Sequence, residues 1–175
     1  NVISGNSGHG IRVLGAQRWL IEDNLIQNVT GASRSGMFLL NFQHSTVQNN
    51  TLKNLNYAGM ICDSHQDTVI ENNTIDNCTQ PGIQVANSAG PVLVTKNQIS
   101  NANTANGADK AAISIYPNSP IVDVTYNTLS NSNGAFSVRG QAGTVASTVH
   151  VNNNNFLGNT TPQVRNRAQG GGLLD

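Results

Sequence analysis

One short pattern recurs along almost the whole 175-residue chain and limits what the chain can fold into: Asn-x-Ile/Leu/Val-x-Asn. Its copies lie at residues 24–28, 50–54, 73–77, 97–101, 127–131 and 155–159, and a degenerate copy opens the chain at 1–5. Successive copies begin 23 to 30 residues apart. A period of that length is typical of proteins built from stacked structural repeats. The sequence therefore predicts a repeat architecture.

Two further apolar segments accompany each copy of the pattern in a fixed order. One segment follows the pattern after a turn and begins with Gly or Ala, at 10, 36, 59, 82, 112 and 135; the apolar residues directly after these are Ile11, Met37, Met60, Ile83, Ile113 and Phe136. The other precedes the next copy and contains Ile21, Val47, Ile70, Val94 and Val124. The segments are short and alternate apolar with polar positions, which indicates β-strands. Gly, Pro, Asn and Ser separate them, so the chain is predicted to be all-β.

Three short strands per repeat have one economical arrangement, in which each repeat forms one coil of a solenoid. Equivalent strands then stack in parallel, about 4.8 Å apart, into three sheets. The other two sides of each coil provide the long crossover that a parallel pair requires. The two series above form two inward stacks, and the third stack is Ile26, Leu52, Ile75, Ile99, Leu129 and Leu157. The sequence predicts six to seven coils of three short strands.

The repeated asparagines have a physical reason in this arrangement. A coil bends sharply between sheets, and Asn is the non-glycine residue that best tolerates the left-handed backbone conformation of such bends. Its side-chain amide can also bond to the Asn of the coils above and below, which forms a ladder. The asparagine columns are therefore interpreted as structural rather than ligand-binding.

Composition and hydropathy argue against several classes of protein. Charged residues make up 10% of the chain, the formal net charge is zero, and no basic stripe for nucleic acid is present. No apolar run approaches the roughly 18 residues of a membrane span. The two cysteines, Cys62 and Cys78, are too few for a disulfide framework and are interpreted as buried free thiols. No cofactor is indicated, and Ca²⁺ is the one ion left open.

The Asn-x-Ile/Leu-x-Asn and Gly-Ile-x-Val cadence resembles that of the right-handed parallel β-helix proteins of the pectin-lyase-like superfamily, from residue 1 to about 161. The superfamily includes polysaccharide lyases, glycoside hydrolases, uronate C5-epimerases and phage tailspike depolymerases. The resemblance implies an all-β, right-handed parallel β-helix with a polysaccharide partner, located outside the cell, on its surface or on a virion. The expected domain is residues 1–161, a fragment without its N-terminal cap, followed by an exit or linker segment at 162–175.

Two outward-facing columns of the first sheet are the predicted binding face. One column contains Arg12, Phe38, Ile61, Gln84, Ser114 and Ser137, and the other contains Leu14, Leu40, Asp63, Ala86, Tyr116 and Arg139. Apolar and aromatic residues that share an exposed surface usually mark an interaction site. The predicted substrate-binding residues are Arg12, Phe38, Asn41, Tyr116 and Arg139. A homotrimer that covers Leu40 and Ile61 is the alternative explanation of this face.

The densest polar cluster follows the first strand in two neighbouring coils and contains Asn41, His44, Asp63, His65 and Asp67. A histidine beside a carboxylate can act as a general base near neutral pH, and the predicted catalytic residues are Asp63, His65 and His44. Removal of the proton beside a uronate carboxylate begins both β-elimination and epimerisation, and Arg12 or Arg139 would stabilise the resulting charge. The segment 57–65 is similar to the Asp-Pro-His motif of alginate C5-epimerases, with Ser64 in place of the proline.

Other interpretations of the same cluster stay open. Asp63 and Asp67 are the one carboxylate pair on this face that suits hydrolysis, and both also suit a structural role as caps of a turn. No metal site is predicted, because the histidines lack the close spacing of zinc ligands. A lyase or epimerase is favoured over a hydrolase. The alternative is a non-catalytic β-helix that serves as a stalk, an adhesin or a receptor-binding segment of a spike.

Overall fold

The computed structural model describes residues 1–105, 111–119, 121–139, 148–160, 164–167 and 173–174. In these residues the chain forms three parallel sheets of seven strands each. Sheet A contains β1 (Val2–Ser4), β4 (Leu25–Val29), β7 (Thr51–Leu55), β10 (Thr74–Cys78), β13 (Gln98–Ala102), β16 (Thr128–Ser130) and β19 (Asn155–Leu157). Sheet B contains β2 (Ile11–Gln17), β5 (Met37–Gln43), β8 (Met60–Asp63), β11 (Ile83–Ala86), β14 (Ile113–Ile115), β17 (Phe136–Arg139) and β20 (Val164–Arg167). Sheet C contains β3 (Leu20–Glu22), β6 (Thr46–Gln48), β9 (Thr68–Glu71), β12 (Val92–Thr95), β15 (Ile121–Thr125), β18 (Thr148–Asn152) and β21 (Leu173–Leu174).

Each coil contributes one strand to sheet B, then one to sheet C, then one to sheet A. Each strand pairs in parallel with the equivalent strand of the next coil, so Ile83 pairs with both Met60 and Ile113. The predicted all-β parallel solenoid is therefore confirmed. The predicted number of coils is slightly too high, since the described residues form about five turns from β2 to β16, with gaps at 106–110 and 120.

The sheets also continue into the segment at 162–175, in which the sequence predicts an exit or linker. β20 pairs with β17 and β21 pairs with β18, both in parallel. The strands at 164–167 and 173–174 therefore belong to sheets B and C. Residues 162–163, 168–172 and 175 of that segment lie outside the described residues.

The core lies inside the coils, where alternation of the strand places every second side chain. The predicted inward stacks are buried in the coils from β5 to β17, and they pack into one hydrophobic cluster. The stack of sheet A ends differently from the prediction: Leu129 pairs with Phe156, and Leu157 is 49% exposed. Consecutive asparagines at 152–155 allow two alignments of this coil, and a shift of one residue exchanges the inward and outward positions.

The two asparagines of each repeat perform different structural tasks. The first is buried and forms a ladder: Asn97 Nδ2 donates to Asn127 Oδ1 at 3.0 Å and to Ile70 O at 2.9 Å. The second is exposed and takes the left-handed backbone conformation, with φ of 56° at Asn77 and 51° at Asn101. Both expectations about asparagine are thus met, one by each column. The ladder continues at Asn154 rather than Asn155, in agreement with the shifted last coil.

Two predictions made from composition can be compared with the structure. Cys62 and Cys78 are buried free thiols, as expected, and burial raises the pKa of each to about 12. The described part of the chain contains no helix with the length and apolar character that a bilayer crossing requires.

Candidate functional site

The exposed histidine–carboxylate pair of the predicted cluster is His44 with Asp67. His44 Nδ1 lies 3.1 Å from Asp67 Oδ2, and the two side chains are 46% and 43% exposed. They occupy equivalent positions in the turns that follow β5 and β8, where both residues have a left-handed backbone. His44 N–H donates to Gln66 O of the next coil at 2.8 Å, which fixes the two turns against each other. The expectation that these segments lie on neighbouring coils is confirmed.

Arg18 completes this row one coil earlier. It has the same left-handed conformation as His44 and Asp67, and its N–H donates to Gln43 O just as His44 N–H donates to Gln66 O. Equivalent positions of neighbouring coils are about 4.8 Å apart. Arg18, His44 and Asp67, called the His44 row below, therefore place a cation, an imidazole and a carboxylate in sequence along one edge of sheet B.

His65 lies inside the coil rather than beside His44. It has no exposed surface, its Nε2–H donates to Leu39 O at 3.1 Å, and its Nδ1 is 3.4 Å from Thr68 Oγ1. Burial lowers the pKa of His65 to about 4, so the ring is neutral at physiological pH. The structure therefore does not bring His65 to the surface where a substrate would bind.

The inward direction of His65 has a local cause in the turn. β8 ends at Asp63, and Ser64 follows with a φ of 59°. A left-handed residue interrupts the alternation of a strand, so the side-chain direction after it cannot be read from the period. The strand period alone predicts Asp63 and His65 on one surface, because it does not mark this break.

Asp63 is held by its neighbours in the turn. Its Oδ1 accepts hydrogen bonds from Ser64 Oγ and from Asn87 Nδ2, each at 3.0 Å. These bonds are the kind that a turn-capping carboxylate makes. Asn41, which lies within β5, is exposed at the position equivalent to Ser64 one coil earlier, and it too has a left-handed backbone. Asn41 therefore presents an amide near the His44 row, whereas Asp63 orders the turn behind it.

Tyr116 and Arg139 meet at the far end of sheet B. Arg139 Cζ lies 4.6 Å from the centre of the Tyr116 ring, and both side chains are partly buried. A guanidinium at this distance from an aromatic face makes a cation–π contact. Tyr116 is two coils and Arg139 three coils beyond the coil of Asp63, which corresponds to about 10 to 14 Å along the axis. The two predicted binding residues thus form one unit, separate from the His44 row.

Arg12 and Phe38 belong to a third unit, at the edge where sheet A turns into sheet B. A surface depression of about 400 Å³ is lined there by Ser7, Gly8, His9, Arg12 and Arg34. The ring of His9 packs 5.0 Å from that of Phe38, and Arg34 Nη1 lies 3.4 Å from His9 Nε2. This basic depression lies up to about 20 Å from His44, since β5 runs between them at about 3.3 Å per residue. Arg12 therefore does not contact a group bound at His44.

His9 and Arg34 are not among the residues predicted from the sequence. Both lie in the glycine- and serine-rich turns before β2 and β5, outside the strand columns from which the binding face is predicted. An alignment of Gly10 with Gly36 places His9 opposite Ser35, and the structure joins these two by a hydrogen bond from Ser35 N to His9 Nδ1 at 3.0 Å. An alignment of the turns, in addition to the strands, is therefore the sequence feature that indicates the contact between His9 and Ser35.

The apolar face predicted on sheet B is smaller in the structure than expected. Ile61 is 9% exposed, and Ser114 and Ser137 in the same column are buried. Ile61 stacks directly between Phe38 and Gln84 of the neighbouring coils. Because its flanking side chains are large, this outward position is largely covered. Within the described residues, no three His, Cys, Asp or Glu side chains gather into a metal site.

The chain belongs to the right-handed β-helix family: the family model described as a right handed beta helix region matches residues 1–105. This finding agrees with the parallel sheets of the structure and supports the superfamily-level resemblance of the sequence. No curated protein and no solved structure matches the chain significantly. Family membership fits carbohydrate-active and spike-type β-helix proteins in general, and the side chains must supply any narrower assignment.

Proposed function

We propose that this protein binds and processes an acidic polysaccharide outside the cytoplasm, as a lyase or a C5-epimerase. The observation that carries this proposal is the His44 row, in which an exposed imidazole contacts the carboxylate of Asp67 and Arg18 occupies the equivalent position one coil earlier. A neutral histidine oriented by a carboxylate is a general base suited to neutral pH. A nearby arginine is suited to bind the carboxylate of a uronate.

In this proposal His44 removes the proton from C5 of the uronate. Asp67 Oδ2 accepts a hydrogen bond from His44 Nδ1–H, because a carboxylate only accepts, and this leaves the lone pair of Nε2 for the substrate proton. The electron pair of the C5–H bond moves onto the adjacent carboxylate group, and Asp67 stabilises the imidazolium. In a lyase the C4–O bond then breaks, the C4=C5 bond forms, and the expelled oxygen takes a proton from water. In an epimerase C5 takes a proton from water on the opposite face.

The other predicted residues have supporting roles in this proposal. Arg18 neutralises the charge that develops on the uronate carboxylate, because it stands closer to His44 than Arg12 or Arg139 does. Asn41 contacts a sugar hydroxyl beside the same row. His65 acts as a positioning residue, since its bond to Leu39 O holds the strand that leads to Asn41 and His44.

A non-catalytic β-helix segment of a spike or an adhesin is the second candidate. Two observations favour it: His65 is buried, and Asp63 is occupied by Ser64 and Asn87. These facts leave few titratable groups for chemistry on this face. In that case the Tyr116–Arg139 pair and the basic depression would bind a glycan without changing it.

The deciding experiment follows the absorbance of unsaturated ends near 235 nm on a panel of uronic-acid polysaccharides. Reducing ends and the exchange of deuterium into C5 are measured in parallel. We expect either the absorbance rise of a lyase or the deuterium exchange of an epimerase, and a loss of 100-fold or more in His44→Gln, the usual range for a general base. Reducing ends without absorbance would indicate hydrolysis by Asp63 and Asp67. If the protein binds a glycan but none of the three measurements shows a change, the result would support the non-catalytic β-helix segment.

The chain offers a matched control in a second histidine–carboxylate pair. His150 Nδ1 lies 2.7 Å from Asp123 Oδ1 on the outer face of sheet C, and the two side chains are 40% and 41% exposed. We expect His150→Gln to keep the activity that His44→Gln loses. Equal losses in both variants would contradict the assignment of His44 as the base.

A further inference from the structure

The basic depression is built from two loops that hold each other in place. In the first loop Asn6 Nδ2 donates to His9 O at 2.9 Å, and Asn6 Oδ1 accepts from Gly8 N at 2.8 Å. The second loop approaches so closely that a Cβ at Gly31 would collide with Ser7 O. The position of the His9 and Arg34 backbones is therefore fixed before any ligand arrives.

The hydrogen bonds of His9 determine which of its nitrogens carries the proton. Its Nδ1 accepts from Ser35 N–H at 3.0 Å, and a backbone N–H can only donate, so Nδ1 has no proton. A neutral imidazole must then carry its proton on Nε2. This nitrogen lies 3.4 Å from Arg34 Nη1, which is also a donor. Two N–H donors therefore face each other without an acceptor between them.

The electrostatic environment keeps His9 in this neutral form. Burial lowers the pKa of His9, and the charges of Arg34 and then Arg12 lower it further; the Ser35 backbone acts in the opposite direction but has the smallest effect, so the net shift is downward. A second proton on Nδ1 would in addition break the bond from Ser35. His9 is thus a donor at Nε2 that adds no charge of its own.

The two arginines of the depression have no carboxylate partner in the described part of the chain. Neither Arg12 nor Arg34 forms a salt bridge there, and both side chains are exposed. Together with His9 Nε2–H they direct donors and positive charge toward one open depression of about 400 Å³. An arrangement of this kind lacks only an acceptor, and oxyanions supply acceptors with the matching charge.

We propose that the basic depression binds one oxyanionic group, a carboxylate or a sulfate, between His9 Nε2–H and the guanidinium groups of Arg12 and Arg34. The bound oxygen atoms accept from His9 and Arg34 and so separate the two facing donors. The packing of His9 on Phe38 holds the imidazole in the required orientation. This site is separate from the His44 row and does not depend on the chemistry proposed there.

Calorimetric titration tests the site with inorganic sulfate, an oligouronate, a sulfated oligosaccharide and a neutral oligosaccharide. We expect the oxyanionic ligands to bind and the neutral one not to bind. Arg34→Gln and Arg12→Gln should weaken binding tenfold or more. Lys53→Gln, which removes one positive charge from β7, outside the lining of the depression, should leave it unchanged. Binding of oligouronate or of sulfated oligosaccharide identifies the source of the group, and binding of sulfate alone identifies a site for a free ion.

A second measurement reads the predicted proton position directly. The ¹⁵N shifts of the His9 ring should show the Nε2–H form in the free protein and a change at Nε2 when the ligand binds. An Nδ1–H form, equal weakening by Lys53→Gln, or no binding by any oxyanion would overturn the proposal. His44→Gln should keep this binding while it loses turnover, so a failure of the site and a failure of the proposed function give different results.

Discussion

His44 and His65 lie on adjacent coils at the same edge of sheet B, yet their environments are opposite. His44 is nearly half exposed and touches a carboxylate. His65 has no exposed surface, contacts backbone and hydroxyl oxygens, and packs 5.8 Å from the ring of Phe42. The two residues are of one type, and the sequence pattern around each suggests a surface cluster.

The difference shows that a left-handed residue decides the role of the next side chain in this fold. Ser64 turns the chain directly before His65, so that the imidazole enters the coil. His44 is itself the left-handed residue of its turn, and its side chain leaves the coil. Burial then makes His65 a stabilising group, whereas exposure leaves His44 available to a ligand. The following predictions test this division of roles.

The largest expected effect is the loss of stability in His65→Ala. The change removes a buried ring and leaves Leu39 O without its donor, and both losses are costly. We expect the free energy of unfolding in urea to fall by about 4 kcal/mol. In His44→Ala it should change by less than about 0.5 kcal/mol, as for most exposed positions. Equal losses of unfolding free energy in His65→Ala and His44→Ala would contradict the structural role assigned to His65 alone.

The next prediction concerns the pH dependence of stability. The pKa of His65 is about 4 in the folded chain, against 6.5 for an unperturbed histidine, so the unfolded state takes up the proton first as the pH falls. The stabilisation is therefore complete above pH 6.5 and is lost progressively between pH 6.5 and 4. The loss amounts to about 3 kcal/mol at 1.36 kcal/mol per pKa unit.

Urea unfolding at several pH values measures this loss, with His65→Gln as the reference. Glutamine retains an N–H donor for Leu39 O but does not titrate. The difference in unfolding free energy between the parent and this variant should shrink as the pH is lowered. Parallel pH profiles for the two proteins would show that other groups, such as the carboxylates, account for the whole dependence.

The fold could be predicted because its determinants recur. Six copies of one pattern fix the strand period, and the inward apolar positions repeat in every coil, so a single misread copy does not change the result. The one error of register fell at Phe156 and Leu157, where consecutive asparagines obscure the pattern at the last coil. In the middle of the chain, the copies on both sides confirm the strand register of each copy. The last copy has a neighbouring copy on one side only, so its register is predicted less securely.

The candidate site could be predicted only in part, because its residues do not recur. His44 and Asp67 were recognised in one cluster, and the structure joins them. Arg18, His9 and Arg34 lie in turns between the strands, outside the strand columns from which the binding face is predicted. The direction of a side chain there depends on which residue takes the left-handed conformation, and no periodic property of the sequence marks it.

The smallest expected effect separates function from stability most clearly. Double-mutant cycles with alanine at His44 and Asp67, and at His150 and Asp123, measure the coupling within each exposed pair. Both pairs are about two-fifths exposed, so we expect about 0.5 kcal/mol of coupling from each in the free energy of unfolding. The distance in the His150 pair is shorter than in the His44 pair, but water screens both exposed pairs, so their coupling energies should be similar. If the two pairs contribute equally to stability while substitution of His44 alone removes turnover, the His44 pair acts on a ligand. A coupling of several kcal/mol in the His44 pair would instead identify it as part of the scaffold, and the general base would have to be sought elsewhere.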